Sequence, residues 1–575
     1  MRLLNIVTFA IALGSSSSFA LINPFHAPEI ISSLWQAIGL PDLSAPLTTT
    51  LQLHEPDLAG LSARMEAIAA EGSGNWLSDE ELRAYISPTA DSVNTVKAYL
   101  TAKGVSPSTI QLSKFGDQIT FTSSLAKQQN LFSTQFQNYR VNTDGASVVV
   151  PRAKNYTIPA PLSSLVKSAF PISSFGMPKQ YLPVIQADGV TVSPQELFKR
   201  ASYSNCNNAQ VTPACLRDAY ETSSYTPSGN RGRAITIMSF IGQNFAQTDL
   251  TKFLKMYRPD AASTQVKVTN TAGGFNFPFF GSGSEVMLDI ETSVSQTYPL
   301  VNDIVNYGTA FTKGDLFNLA AQYFLNLSPS QRPSVVSISY GSNEGGYAAS
   351  EAQTMCASMQ KLTAGGTTVV VASGDSGVSG NGGSCPASNS AFVPTYPSGC
   401  PYVVSVGATQ SFPEQMVSKA GSGFTSGAGF SNIFPRPSYQ DSAVQSYLSQ
   451  IGGANAGLFN SGGRSFPDVA AAGSSYVIAY SGKYGLVGGT SAACPLVASL
   501  FTLVNDARSK VGKGPVGWAN PVLYAHPNAF QDVTSGSSIG CGVGGAAGFS
   551  ATSGFDTPSG LGAPRLSSLR SMFGV

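Results

Sequence analysis

The feature that most constrains this chain is a set of short, mostly apolar runs interrupted only by Ser and Thr: Ala234 to Ile241, Val335 to Tyr340, Thr367 to Ala372 and Val403 to Val406. A strand with one wet face alternates apolar and polar residues. A strand apolar throughout must be covered on both sides. Glycine-rich or helical stretches separate these runs, which predicts an α/β domain built on a parallel sheet with helices on both faces. This large domain is expected to begin at Ala201 and run to Val575.

The chain before it has a different character. The first 200 residues contain no cysteine and hold two of the three histidines. Leu77-Ser78-Asp79-Glu80-Glu81-Leu82 predicts a capped helix start. Ser92 to Lys103, stopped by Gly104, predicts an amphipathic helix, and Gln118-Ile119-Thr120-Phe121-Thr122 alternates as a strand does. Helices and strands mixed in this way make a compact α+β domain. The stretch from about Pro151 to Pro194 is expected to be a connector. Just beyond it lies Lys199-Arg200, the only adjacent basic pair in the chain. Such a pair can end a helix favourably. Its uniqueness and its place before the cysteine-bearing part favour a processing site.

At 575 residues the chain has room for two or three domains, and 42% hydrophobic residues supply a sizeable core. Charged residues make up only 11%, with a net charge of +1, so no nucleic-acid or anionic-membrane partner is indicated. A surface so poor in carboxylates changes charge little when acidified. Arg2, the apolar run Leu3 to Gly14 and the small-residue end Ser18-Phe19-Ala20 predict a signal peptide over residues 1–20, too short for a membrane anchor. The expected product is secreted and extracellular.

An exported chain should pair its seven cysteines and leave one over. Cys206 and Cys215 are close enough for a local loop, while the other pairings stay open. Asn155-Tyr-Thr and Asn326-Leu-Ser are glycosylation sequons.

The chemistry concentrates in a few segments. Gly488-Gly489-Thr490-Ser491-Ala492-Ala493-Cys494-Pro495 places a serine at the start of an apolar helix, Pro495 to Val504. A helix N-terminus favours a developing oxyanion, and paired glycines let the backbone approach a substrate. Gly-Thr-Ser-Ala followed by proline is similar to the serine motif of the subtilisin clan. Subtilisins use a histidine base placed well upstream of the serine, and the only histidine after Arg200 is His526, downstream of it. A different group must then take the proton from Ser491.

Glu285 and Asp289 fall at i,i+4 in Ser284-Glu285-Val286-Met287-Leu288-Asp289-Ile290-Glu291, so both carboxyls share one helix face. Buried together, they raise at least one pKa and share a proton in acid. Two acids on a helix are more often a solvated face, but this segment is unusually apolar for one. Asp375, in Ala372-Ser373-Gly374-Asp375-Ser376-Gly377, follows a predicted strand at the end where parallel sheets place their sites. Protonated, it could donate to an oxyanion. Asp-Ser-Gly alone is also a common turn.

Taken together these segments closely resemble the sedolisin family, the serine-carboxyl peptidases that include tripeptidyl-peptidases. Gly429-Phe430-Ser431-Asn432 and Phe466-Pro467-Asp468-Val469-Ala470 also fit its pattern. The resemblance implies a subtilisin-like catalytic domain preceded, over residues 21–200, by an α+β (ferredoxin-like) activation prodomain acting as intramolecular inhibitor and chaperone. It implies Ser491 as nucleophile, Glu285 as base, Asp289 as its partner and Asp375 as the oxyanion-hole acid. It also implies one calcium ion held by the carboxylates of Asp532 and Asp556 and the carbonyls of Val533, Thr552 and Gly554. Water would complete a six-oxygen shell. The expected activity is an acid peptidase releasing tripeptides from free N-termini. An acid endopeptidase is the alternative, and a non-catalytic binding protein is disfavoured by the complete Ser-Glu-Asp-Asp set.

Overall fold

The computed structural model describes residues 35–143, 146–176, 179–180, 206–229, 234–240, 242–308, 316–381, 385, 391–417, 423–541 and 547–575. The expected signal peptide and Lys199-Arg200 lie outside the described residues.

The N-terminal unit is an antiparallel sheet of β1 (Pro46–Leu53), β2 (Gln111–Leu112), β3 (Gln118–Ser124) and β4 (Val166–Phe170), in spatial order β2-β3-β1-β4. With helices between β1 and β2 and between β3 and β4, this is the expected ferredoxin-like arrangement. β4 lies inside the stretch predicted as a connector. Its sequence, Val-Lys-Ser-Ala-Phe, is only partly alternating, and the prolines around it masked a strand that pairing with β1 completes. Along β1, Leu47, Leu51 and Leu53 turn to one buried cluster, as a period of two requires.

The helices of this unit are α1 (Leu58–Glu71), α2 (Asp79–Ile86), α3 (Ala90–Ala102) and α4 (Leu125–Phe132). Ser78 and Glu81 form the predicted capping box of α2. α3 begins two residues earlier than the pattern indicated because the Thr89 hydroxyl caps it. α3 buries Val93, Val96 and Leu100 against its own sheet. α1 and α2 instead turn Leu61, Met65, Ile68, Leu82 and Ile86 onto the second unit. Their i,i+4 and i,i+3 spacing is the apolar stripe that docks the two units together.

The second unit holds β5 (Ile235–Ser239), β6 (Lys267–Thr271), β7 (Asn302–Tyr307), β8 (Val335–Ile338), β9 (Thr368–Ala372), β10 (Val404–Gln410), β11 (Gln415–Met416) and β12 (Val469–Ala472). Their order is β6-β7-β5-β8-β9-β10, with β11 and β12 both on β10, and every pairing except that of β11 is parallel. Helices α5 (Ser284–Thr297) and α8 (Thr490–Lys510) pack on one face with Ile235, Ile237, Val335, Val370 and Val404. Helices α6 (Leu316–Asn326) and α7 (Ala349–Ala364) cover the other with Met238, Val336, Ile338, Val369 and Val371. Successive residues of each strand thus serve opposite cores, which explains why the runs are mostly apolar and do not alternate.

Disulfides join Cys206 to Cys215, as the short spacing allowed, and also Cys356 to Cys400 and Cys385 to Cys541. Cys494 is the remaining thiol and is buried. Among the described residues no helix is long and apolar enough to cross a membrane.

Candidate active site

Three chain segments converge at the C-terminal edge of β8 and β9. The first is the start of α8, which begins at Thr490, earlier than Pro495 suggested. Pro495 has no N–H to offer the carbonyl of Ser491 one turn before it, and the Ser339 hydroxyl lies 3.5 Å from that carbonyl. The Ser491 hydroxyl reaches the Ser339 carbonyl at 3.4 Å, in a fully buried position.

The second segment is the first two turns of α5, which carry Glu285 and Asp289 on one face, both buried. Burial pushes Glu285 well above the usual carboxyl range, and the neighbouring Asp289 carboxyl adds to this. The Ser491 hydroxyl faces Glu285 and pulls it the other way by hydrogen bonding, although neither Glu285 oxygen has a well-formed partner. Burial likewise raises Asp289, opposed by the Ser339 hydroxyl, which donates to its Oδ1 at 2.8 Å. The pair therefore holds a proton well into the range where free carboxyls have lost theirs.

The third segment follows β9. Asp375 is partly exposed, and its Oδ1 accepts the N–H of Thr490 at 2.7 Å and the Thr490 hydroxyl at 2.9 Å. Its Oδ2 has no partner. Burial raises Asp375 to about 7 against those two stabilising hydrogen bonds. A Cβ at Gly489 would stand 2.8 Å from Asp375 Oδ2, so glycine there lets the carboxyl approach the start of α8. Among the described residues no ion pair reaches Glu285, Asp289 or Asp375, and so no cation offsets their shifts.

All four residues predicted for catalysis are thus brought to one place. Sequence reasoning missed Ser339, which links Asp289 to Ser491, and Thr490, which aims Asp375. The signal for Ser339 was a second serine just past the strand Val335–Ile338, at the end where parallel sheets place their sites. Asp468 of the Phe466–Ala470 segment is instead a frame residue: buried, it holds Arg464 at 2.5 Å and accepts the N–H of Ser405 at 2.8 Å.

The strand Tyr340–Asn343 continues from Ser339 along the site. It pairs on one side with Thr395–Tyr396 and on the other, antiparallel, with Lys179–Gln180 from the N-terminal part of the chain. Gln180 lies opposite Tyr340 and Lys179 opposite Gly341. Gly176, just upstream, packs so tightly on the ring of Tyr347 that a Cβ would meet it at 2.2 Å.

The expected metal residues also cluster. The N–H of Gly554 donates to Asp532 at 2.8 Å and that of Thr552 to Asp556 at 2.7 Å, with Ser559 on the other oxygen of Asp556. Burial brings Asp556 to about 7, and the charge of Asp532 adds to the shift. No basic side chain pairs with either aspartate among the described residues. Two neighbouring carboxyls in a loop of oxygen donors, without histidine or cysteine, fit a hard cation such as calcium.

A parallel sheet in this order, with a serine at a buried helix start and a preceding ferredoxin-like unit, defines a subtilisin-like serine peptidase carrying its activation domain. Residues 33–175 match the family described as Pro-kumamolisin, activation domain, and residues 307–522 match the subtilase family. The chain is 31% identical to tripeptidyl-peptidase SED2 of Arthroderma otae over 87% of this chain and 86% of that protein. It is 29% identical to aorsin of Aspergillus oryzae over 93% and 94% of the two. A solved Pseudomonas sedolisin, a serine-carboxyl proteinase in complex with pseudo-iodotyrostatin, covers 63% of this chain and 97% of its own, at 21% identity and a TM-score of 0.48. The chain belongs to the sedolisin family.

Proposed function

We propose that this chain is the secreted precursor of an acid-acting serine peptidase that releases tripeptides from free N-termini. The observation that carries the reading is the buried Ser491 hydroxyl facing Glu285, with Asp375 turned to the same helix start. Glu285 accepts the Ser491 proton as the hydroxyl attacks the scissile carbonyl, and Asp289, held by Ser339, shares that proton. The oxyanion forms at the start of α8, where protonated Asp375 donates from Oδ2. Glu285 returns the proton to the leaving amine, and water then hydrolyses the acyl-enzyme by the same route.

Substrate lies on strand Tyr340–Asn343 as an added antiparallel strand. Lys179–Gln180 fills that edge in the precursor, which supports the N-terminal unit as an intramolecular inhibitor. Asp532, Asp556 and the carbonyls of Val533, Thr552 and Gly554 would hold a calcium ion, which would stabilise the fold and take no part in the bond-breaking steps. The exposed sequon asparagines, Asn155 and Asn326, suit glycosylation during export.

Tripeptide release is inferred from the named relatives. One feature favours an endopeptidase as the second reading: the strand on the substrate edge is itself internal to a chain, with Gly176 and the N-terminal unit upstream of it. Cleavage of one peptide with its amino terminus free or acetylated, at acid pH, separates the two. Acetylation abolishes tripeptide release and spares internal cleavage.

A further inference from the structure

A loop of residues 272–283 joins the C-terminal end of β6 to the start of α5, two residues before Glu285. Three of its phenylalanines face outward. Phe275 is 40% exposed, Phe277 53% and Phe279 92%, and these are the most exposed phenylalanines among the described residues. The rings of Phe275 and Phe277 stand 5.9 Å apart. They remain uncovered although the N-terminal unit is docked. An exposed aromatic cluster of this size on a folded protein marks a contact surface.

A slack loop could fold its aromatic side chains inward, but this one is clamped. Asn276 accepts the N–H of Phe245 at 2.7 Å and donates to its carbonyl at 3.1 Å. Asn244 accepts the N–H of Phe277 at 2.7 Å, and Asn306 donates to the carbonyl of Phe275 at 2.6 Å. Gly281 lies so close to Ser481 that a Cβ would meet its Oγ at 2.6 Å. The polar side chains are spent on the backbone, and the apolar ones are presented.

We propose that Phe275, Phe277 and Phe279 form a wall of the substrate cleft that selects a large apolar side chain near the scissile bond. This rests on the peptidase reading above. The loop rises from the same edge of the parallel sheet as Ser339, Asp375 and Ser491, the edge where such sheets bind ligands. Six residues separate Phe279 from Glu285, so their Cα atoms are at most about 20 Å apart, the span of about six residues of extended substrate. Residues 268–284 carry no charge, so the wall attracts apolar side chains and lacks the basic residues that hold a protein on an anionic membrane.

The test uses full-length chain matured in acid: wild type, Phe277→Ser with Phe279→Ser, and Phe279→Tyr. Each is assayed on peptide sets varied at one position at a time, with melting temperature as a check on folding. The wild type should prefer Phe and Leu over Ala at one position. The serine double variant should lose that preference by roughly 10-fold or more in kcat/KM while cleavage of the Ala peptides holds, and Phe279→Tyr should keep it. An unchanged profile, or equal loss on Ala and Phe peptides, overturns the inference while sparing the peptidase reading. So does a variant altered only in self-association, which would mean that a second copy covers the loop. Wild-type protein that cuts no peptide overturns both.

Discussion

Asp375 Oδ1 accepts both the backbone N–H and the hydroxyl of Thr490, at 2.7 and 2.9 Å, in the residue immediately before Ser491. One carboxyl oxygen is thereby anchored to the helix that carries the nucleophile, and the other is left to face the site. The arrangement is useful only while that second oxygen can carry a proton.

The first prediction concerns pH. Burial raises Asp375 to about 7, so it is protonated below that value and becomes an anion above it. An anion there repels the oxyanion, and activity should fall as pH rises through about 7. In Asp375→Asn the donor no longer depends on pH, so the alkaline limb should move upward at some loss of rate. Asp375→Ala should lose roughly 100-fold or more at every pH. A pH–rate profile of the three proteins on one small peptide decides it. An alkaline limb unmoved in Asp375→Asn would clear Asp375 of the role.

Ser491 and Glu285 should behave as one unit. Ser491→Ala is expected to abolish cleavage, by a factor on the order of 10⁶, and to leave the purified chain full length in acid. Glu285→Gln should be nearly as severe, and combining the two should cost little more. Single-turnover rates and a time course of chain length measure both effects. Additive losses would show that Glu285 does not act through Ser491.

The metal loop leads to a stability prediction. A cation between Asp532 and Asp556 removes their repulsion and, by binding only the folded state, stabilises it by about 2.7 kcal/mol at one hundred times its Kd. Chelation should lower the melting temperature by several degrees, and calcium should restore it. Asp532→Asn should blunt the response. A melting temperature indifferent to both chelator and calcium would exclude the site.

The docking of the N-terminal unit should depend on a buried charge cluster. Buried Lys361 of α7 sits 2.9 Å from Glu55 and also pairs with Asp117, both from that unit. Burial works against the lysine charge, but Asp117 and Glu55 outweigh it and hold Lys361 above its ordinary range. Removing the lysine charge leaves Glu55 and Asp117 as buried anions without a counter-charge, which is costly. In a Ser491→Ala background, Lys361→Met should therefore accelerate hydrogen exchange over residues 58–86. Adding Glu55→Gln and Asp117→Asn should reduce that acceleration. Equal exchange with and without Lys361→Met would show that the interface ignores these charges.

How much was legible beforehand depended on the range of the interactions involved. The parallel sheet announced itself because a strand covered on both faces has to be mostly apolar. The capping box of α2 and the Cys206–Cys215 loop are local and were equally plain. The i,i+4 spacing of Glu285 and Asp289 could be read directly, and so could the absence of a histidine between Arg200 and Ser491.

Other features depend on segments far apart in the chain. Glu291 is as buried as Glu285 on the same helix, yet it accepts the N–H of Ala479 at 2.9 Å and takes no part near Ser491. Ser339 gained its place only when β8 was set beside α5 and α8. β4 was hidden because its pairing with β1 spans more than a hundred residues and leaves little pattern of its own. Sequence alone determined the covered sheet and the helix caps, since each follows from periodicity or short-range chemistry. The choice of carboxyls for the site came with the resemblance to the sedolisin family. Which carboxyl meets the serine, which serine orients the acid and which edge the N-terminal part fills were decided by tertiary packing, because burial and opposition across strands exist only once the chain has folded.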